Sequence, residues 1–585
     1  MTRARTLLAT VIIGLLAVAA MGGSRDGLWK QVDDAINRGL PKTAMEILDQ
    51  IIPGALADQA YAEATKAICM KIVQEGRIQG NLPEERITRL QAEIATAPEA
   101  MKPVMETILA HWFWQYFQAN RYRFLQRTQT AQAPGEDFTT WDLARILAEI
   151  DKHFTLALDA EVQLKATPIA QWDDLIEKGT MHDTYRPTLY DFLAHEALSF
   201  YNSGEQAALP EEIFEVMADG PIFAPVDEFL AWDPQTSNAS SARLKAVRLY
   251  QSLLSFHRND AGKTAFLDAD LLRLTFGNNY AIGPEKADLY IAALEQFADE
   301  WQGHEISARA LYAWAQVLYG REEYVEARAL ADRGWKAYPA SVGGVQCYNL
   351  IQGIEGRYTV ITTERVWNDP LPAIQVAYRN VTQVYFRAIP QEYITRPTWW
   401  SLTDAQRSEL LARTPAIQWS AKLPATVDYR LRTESVPAPQ GLAKGYYLIV
   451  ASHDPSFQRQ DNKVSVASVW VSDLALVVRN LYREGDVEGF VLDAHSGQPI
   501  LGAKVSRWEY NYGASTYKPA EDTQSDSNGM FRFTGKGGKW SAFLIVAEHE
   551  GDRLAGADTY SMNPSAPAST PYEQTVLFTD RSLYR

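Results

Sequence analysis

Ile374-Gln-Val-Ala-Tyr-Arg-Asn-Val-Thr-Gln-Val-Tyr-Phe-Arg-Ala-Ile389 is where this chain changes architecture. Ile374, Val376 and Tyr378 alternate with Gln375, Ala377 and Arg379, and after Asn380 the alternation resumes with Val384 and Phe386 against Tyr385 and Arg387. A period of two belongs to strands with one face in a core. Upstream of Arg357 the apolar residues instead recur at three and four, the period of a helix. The expected class is therefore multidomain, with an N-terminal all-α helical-hairpin region followed by all-β, immunoglobulin-like sandwich domains.

In the helical part, Trp29, Val32, Ile36 and Leu40 form one stripe, Gly39 marks a turn, and Pro41 opens a helix continued by Ala44, Ile47, Leu48 and Ile51. Tyr61, Ala64, Ala67 and Ile68 make a further face. Leu311, Tyr312, Ala315, Leu318 and Tyr319, a turn at Gly320, then Tyr324, Ala327, Ala331 and Tyr338-Pro339 resemble a tetratricopeptide repeat, in which small residues let two helices approach. The aromatic runs His111-Trp-Phe-Trp-Gln-Tyr-Phe117 and Tyr185-Arg-Pro-Thr-Leu-Tyr-Asp-Phe-Leu193 read as core payload rather than a ligand platform. The helical region is expected over 24–360.

Strand patterns return at Tyr446–Ala451 and over Val464–Val478, with proline pairs at Pro370/Pro372 and Pro437/Pro439, giving a macroglobulin-type sandwich at 361–480. A second sandwich, 481–560, opens with a strand at Val487–Leu492, a turn at Ser496–Pro499 and a return strand at Leu501–Val505. Asp526-Ser-Asn-Gly529 is its next turn, Phe531 and Phe533 share a face, and Ala542–Val546 is a buried central strand. Gly556–Gln574, with Pro564, Pro567 and Pro571, reads as linker. Thr575–Arg585, with Val576, Phe578 and Leu583, reads as the opening strand of a further domain, so 561–585 is expected to be a linker and a truncated start.

With 585 residues the chain exceeds one hydrophobic core, and its net charge of -16 argues against a nucleic-acid partner. Arg3 and Arg5, the apolar run Leu7–Ala20 and the small residues Gly22, Gly23 and Ser24 fit a signal peptide over 1–23, with an uncleaved N-terminal anchor as the alternative. The expected location is exported, periplasmic or extracellular, with no other membrane span. Cys69 and Cys347 are the only cysteines and read as buried thiols or as one disulfide.

Catalytic signatures fail one by one. Gly262-Lys-Thr264 ends like a phosphate loop, but His257 stands where that loop needs Gly. His304-Glu305 and His195-Glu196 lack the second His of a zinc helix, since Ala308 and Ser199 stand there. Asp526-Ser-Asn-Gly529 lacks the outer ligands of a calcium loop, having Gln524 and Gly535 at those positions. Asn238-Ala-Ser240 and Asn380-Val-Thr382 fit a glycosylation pattern that occurs often by chance. No catalytic residue, cofactor or metal ligand is expected, and the chain is not expected to be an enzyme.

Gly39-Leu-Pro-Lys-Thr-Ala44, Arg186-Pro-Thr-Leu-Tyr-Asp-Phe-Leu193, Val487-Glu-Gly-Phe-Val-Leu-Asp-Ala-His-Ser-Gly-Gln-Pro499 and Phe578-Thr-Asp-Arg-Ser-Leu-Tyr-Arg585 resemble the N-terminal portion of bacterial α2-macroglobulin-like proteins. The resemblance implies a scaffold portion of a protein that traps proteases in the periplasm, an endopeptidase inhibitor, with bait and capture steps downstream. In many members a Cys-x-x-Gln thioester captures the protease; Cys69 and Cys347 are followed at the third position by Ile72 and Leu350, so neither fits. The alternative is an exported adaptor whose tetratricopeptide-like helices bind a protein partner, with the sandwiches, the second of carboxypeptidase-regulatory type, as spacers. An exported hydrolase would need a triad or metal cluster that these residues do not supply.

Overall fold

A computed structural model of the chain describes residues 25–562, apart from 81, 127–134, 136, 178, 180, 206–213, 237, 394–398, 400–401, 459–461, 482–485, 514–515, 535–540 and 557–558. The expected signal segment and the strand at Thr575–Arg585 lie outside the described residues. The chain divides into two compact units, Met1–Leu350 and Ile351–Arg585.

The first unit is helical. Asp26–Asn37 and Pro41–Ala57 are joined through Gly39 in the left-handed conformation (φ 69°), with Pro41 at the first helical position, and Tyr61–Ile78 follows. Their stripes meet in a core that includes Val32, Ala44, Leu48 and Ile51. The tetratricopeptide-like pair is Ser307–Gly320 and Tyr324–Ala337, packed through fully buried Ala315, Ala327 and Ala331. Gly320 is the last residue of its helix rather than the turn; the left-handed residue is Glu322, at φ 61°. The aromatic runs are core. Phe113 of the Lys102–Ala119 helix stacks on His153 and Trp141 and meets Phe138 edge-on. Cys69 and Cys347 are buried free thiols, and the Cys347 thiol donates to the Ala308 carbonyl.

The second unit holds two sandwiches. The first contains β1 (Tyr358–Thr362), β2 (Val366–Trp367), β3 (Ala373–Arg379), β4 (Gln383–Pro390), β5 (Ile417–Lys422), β6 (Arg432–Pro437), β7 (Gly445–Ser452) and β8 (Ser465–Val471), in sheets ordered β1-β3-β6 and β2-β8-β7-β4-β5. Ile374, Val376 and Tyr378 from one sheet meet Val384, Phe386, Ile449 and Val469 from the other. β3 and β4 therefore lie in different sheets. The chain crosses between them at Asn380 (φ 58°), whose side-chain amide donates to the Ile354 and Gly356 carbonyls.

The second sandwich contains β9 (Leu474–Leu481), β10 (Asp486–Asp493), β11 (Lys504–Asn511), β12 (Thr516–Gln524), β13 (Met530–Phe533), β14 (Ser541–His549), β15 (Asp552–Ala555) and β16 (Tyr560–Met562). Its sheets are β13-β10-β9 and β12-β11-β14-β15, with β16 also on β14. Three sequence expectations change here. Val464–Val478 is two strands in two domains, because the Ser472 hydroxyl takes the Leu474 amide and the Asp552 carboxylate takes the Asp473 amide, which ends the first ladder. Leu501–Val505 is no return strand on β10: after the bridge Leu492↔Pro499 the chain passes to the opposite sheet, where β11 pairs with β12 and β14. Tyr560–Met562 pairs with Ser541–Phe543 and so belongs to the sandwich rather than to a linker.

Candidate functional site

Arg186–Leu193 sets the polar centre of the helical unit. Thr188 caps the Leu189–Tyr201 helix in a reciprocal box with Asp191, whose second carboxylate oxygen accepts from His257 Nε2 at 2.6 Å. His257 Nδ1 lies 2.7 Å from an Asp260 carboxylate oxygen. A neutral imidazole has one N–H, so donation to two carboxylates makes this ring an imidazolium. Burial pulls its pKa down, and Asp191 and Asp260 outweigh that and hold it above the ordinary value. His195 is the reverse case. Burial first, then the Arg186 charge, push it down to about 4, and its Nδ1 donates to the Asp191 carbonyl.

The helical unit also holds a cavity of about 240 Å³. The Thr264–Tyr280 helix contributes Phe266, Asp270, Arg273 and Leu274. Phe223 at the end of the Pro221–Phe223 turn, the start of the Val226–Ala231 helix and the far part of the Lys286–Glu300 helix with Trp301 close it. Arg273 builds the floor: it forms an ion pair with buried Asp270, donates to the Ile222 and Ala224 carbonyls, and lies over the Phe229 ring at 4.7 Å. Gly277 lets this turn approach, since a Cβ there would meet the Phe223 ring at 2.7 Å and the Ile222 side chain at 2.9 Å.

In the second unit the junction between sandwiches is the other built feature. Trp470 of β8 enters the core of the second sandwich with Leu474, Val487 and Phe531, and packs against Tyr393 and Tyr446. Arg365 donates across the junction to the Ala555 and Gly556 carbonyls. Buried Asp552 accepts from the Asp473 amide and pairs with Lys444 at 3.0 Å, and Lys444 also reaches Asp473 at 2.8 Å. Within β10, Gly489 is required by contact: a Cβ would lie 2.1 Å from the Val477 carbonyl oxygen and 2.6 Å from the Phe531 ring.

The motif imitations take structural roles. Lys263 donates to the Arg258 carbonyl, and Thr264 lies 3.3 Å from His304 Nε2. Asp526 accepts from the Asn528 and Met530 amides, which closes a turn. Among the described residues no group of three or more His, Cys, Asp or Glu side chains could hold a metal ion. Asp191, His257, Asp270 and Arg273 carry no individual signal in sequence, although Thr188-x-x-Asp191 is a legible capping pattern.

No family model matches the chain, and no curated protein matches it. Among solved structures it is similar to native α2-macroglobulin of Escherichia coli. A crystal structure spanning its domains NIE-MG1 aligns at 15% identity and a TM-score of 0.25, over 34% of this chain and 95% of that one. A second, spanning MG0-NIE-MG1, aligns at 13% identity and a TM-score of 0.25, over 34% of this chain and 63% of that one. Domains 1–6 of the surface layer protein SbsC align at 10% identity and a TM-score of 0.13, over 79% of this chain and 57% of that one. Likenesses this slight say nothing about activity.

Proposed function

We propose that this chain is the scaffold portion of an exported α2-macroglobulin-like protein that traps proteases, an inhibitor and not an enzyme. The observation that carries the reading is the tandem of sandwiches joined through Trp470, Arg365 and Asp552, since a trap needs domains that hold their relation while a protease is engaged. The residue patterns at Arg186–Leu193 and Val487–Pro499 support it, because both sit at structural joints: a buried cap, and a strand that needs Gly489. The Leu7–Ala20 run supports export. Among the described residues no helix is long and apolar enough to cross a membrane. Covalent capture, if used, needs residues outside this chain, because neither cysteine has the thioester spacing.

The test is to mix the whole gene product with a panel of endopeptidases and follow their elution by size exclusion. Co-elution of active-site-labelled protease with the protein supports a trap. Unchanged protease elution across the panel removes it. The adaptor reading is favoured by one observation, the helix pair at Ser307–Gly320 and Tyr324–Ala337, and it predicts that the chain captures a protein partner with no protease present.

A further inference from the structure

We infer that the cavity beside Arg273 binds an organic cation, the guanidinium or alkylammonium group of a protein side chain or of a small molecule. Its walls carry the aromatic rings of Phe223, Phe266, Phe297 and Trp301, and its lining carboxylates are Asp227, Asp270 and Glu300. Aromatic rings attract cations through their quadrupole, and carboxylates add charge.

The lining holds one cation of its own, Arg273, and that guanidinium is spent. Its donors are committed to Asp270 and to the Ile222 and Ala224 carbonyls, and its face lies on Phe229. Asp227 pairs at the surface with Arg258, while Glu300 is exposed at the mouth with no ion pair among the described residues. Lys263 already reaches over the Phe266 ring, 5.6 Å from its centre, so an ammonium group is accommodated on this surface.

Arg273 is committed and offers nothing to an anion, while Asp270 and Asp227 are already paired with Arg273 and Arg258, so the charge left for a guest is that of Glu300. A purely apolar guest would leave Glu300 at the mouth without a partner. The volume of about 240 Å³ is below the range of about 300–1,000 Å³ typical of drug-sized ligands, and suits a side-chain-sized guest. The inference is independent of the protease-trap reading.

Calorimetric titration of the full chain decides it, with N-acetyl-arginine amide and its neutral isostere N-acetyl-citrulline amide as probes. The arginine probe is expected to bind and the citrulline probe to bind at least about tenfold more weakly. Glu300→Gln, an exposed change that leaves the fold intact, is expected to weaken the arginine probe several-fold. Choline and a capped Ala-Arg-Ala peptide separate the sources: tighter peptide binding assigns the site to a partner's side chain, tighter choline binding to a free cation. Equal binding of both amides, no heat from either, or no effect of Glu300→Gln overturns the assignment.

Discussion

His257 shows how one residue ties the helical unit to pH. Its folded pKa lies above the ordinary 6.5, so its contribution to stability is fully present below about pH 6.5 and is lost as pH rises through the folded value. His195, held down at about 4, acts in the other direction: its contribution is present above about pH 6.5 and declines as pH falls from there toward 4. His257→Asn leaves buried Asp191 without its charged partner and is expected to cost about 3 kcal/mol at pH 6, and less as pH rises through the folded value of His257. Calorimetric melting of both proteins across that rise in pH checks this, and a cost that does not change with pH contradicts it. Asn380 is the comparable residue in the second unit. Asn380→Ala removes three side-chain hydrogen bonds, to Ile354, Gly356 and Thr426, and leaves at positive φ a residue without local side-chain bonding, for an expected loss of about 3 kcal/mol in urea unfolding. A loss below about 1 kcal/mol would show that the corner does not depend on it. The same bonds occupy the amide that a glycan would need.

At the level of elements, Gly489 and Trp470 fix how strands meet. Gly489→Ala forces β10 away from the Val477 carbonyl and the Phe531 ring, and is expected to cost about 3 kcal/mol, read as a lower melting temperature of the second unit. Trp470→Ala empties the shared junction, with an expected loss of about 3–5 kcal/mol and faster amide exchange in β9 and β15. Exchange confined to β8 would mean that the sandwiches do not depend on each other. The strands themselves were legible: β3 and β4 bury alternate residues as their sequence alternates. Their partners were not, because pairing is long-range. Nothing local says that β10 takes β13 across the intervening β11 and β12, or that β9 leaves the first sandwich at Ser472. The cavity was hidden for the same reason, its turn and helices being joined only through contacts such as Arg273 to Ile222. The helical stripes were easier, since helix partners here are mostly sequence neighbours.

For the molecule as a whole, a helical region precedes two joined sandwiches, and each unit has its own built feature: a cation-selective cavity in one and a locked junction in the other. These predict different losses. Glu300→Gln should affect ligand binding and leave sandwich stability unchanged, and Trp470→Ala should do the opposite, because contacts that share no partners contribute nearly additively. The scaffold reading stands or falls on size selection, since a protease held inside a cage loses access to large substrates and keeps access to small ones. The decisive measurement is the rate at which an endopeptidase, pre-incubated with the whole gene product, cleaves a folded protein substrate and a short chromogenic peptide. The account predicts that protein cleavage falls while peptide cleavage persists. Equal rates on both substrates with and without the protein, or equal loss of both, would contradict it.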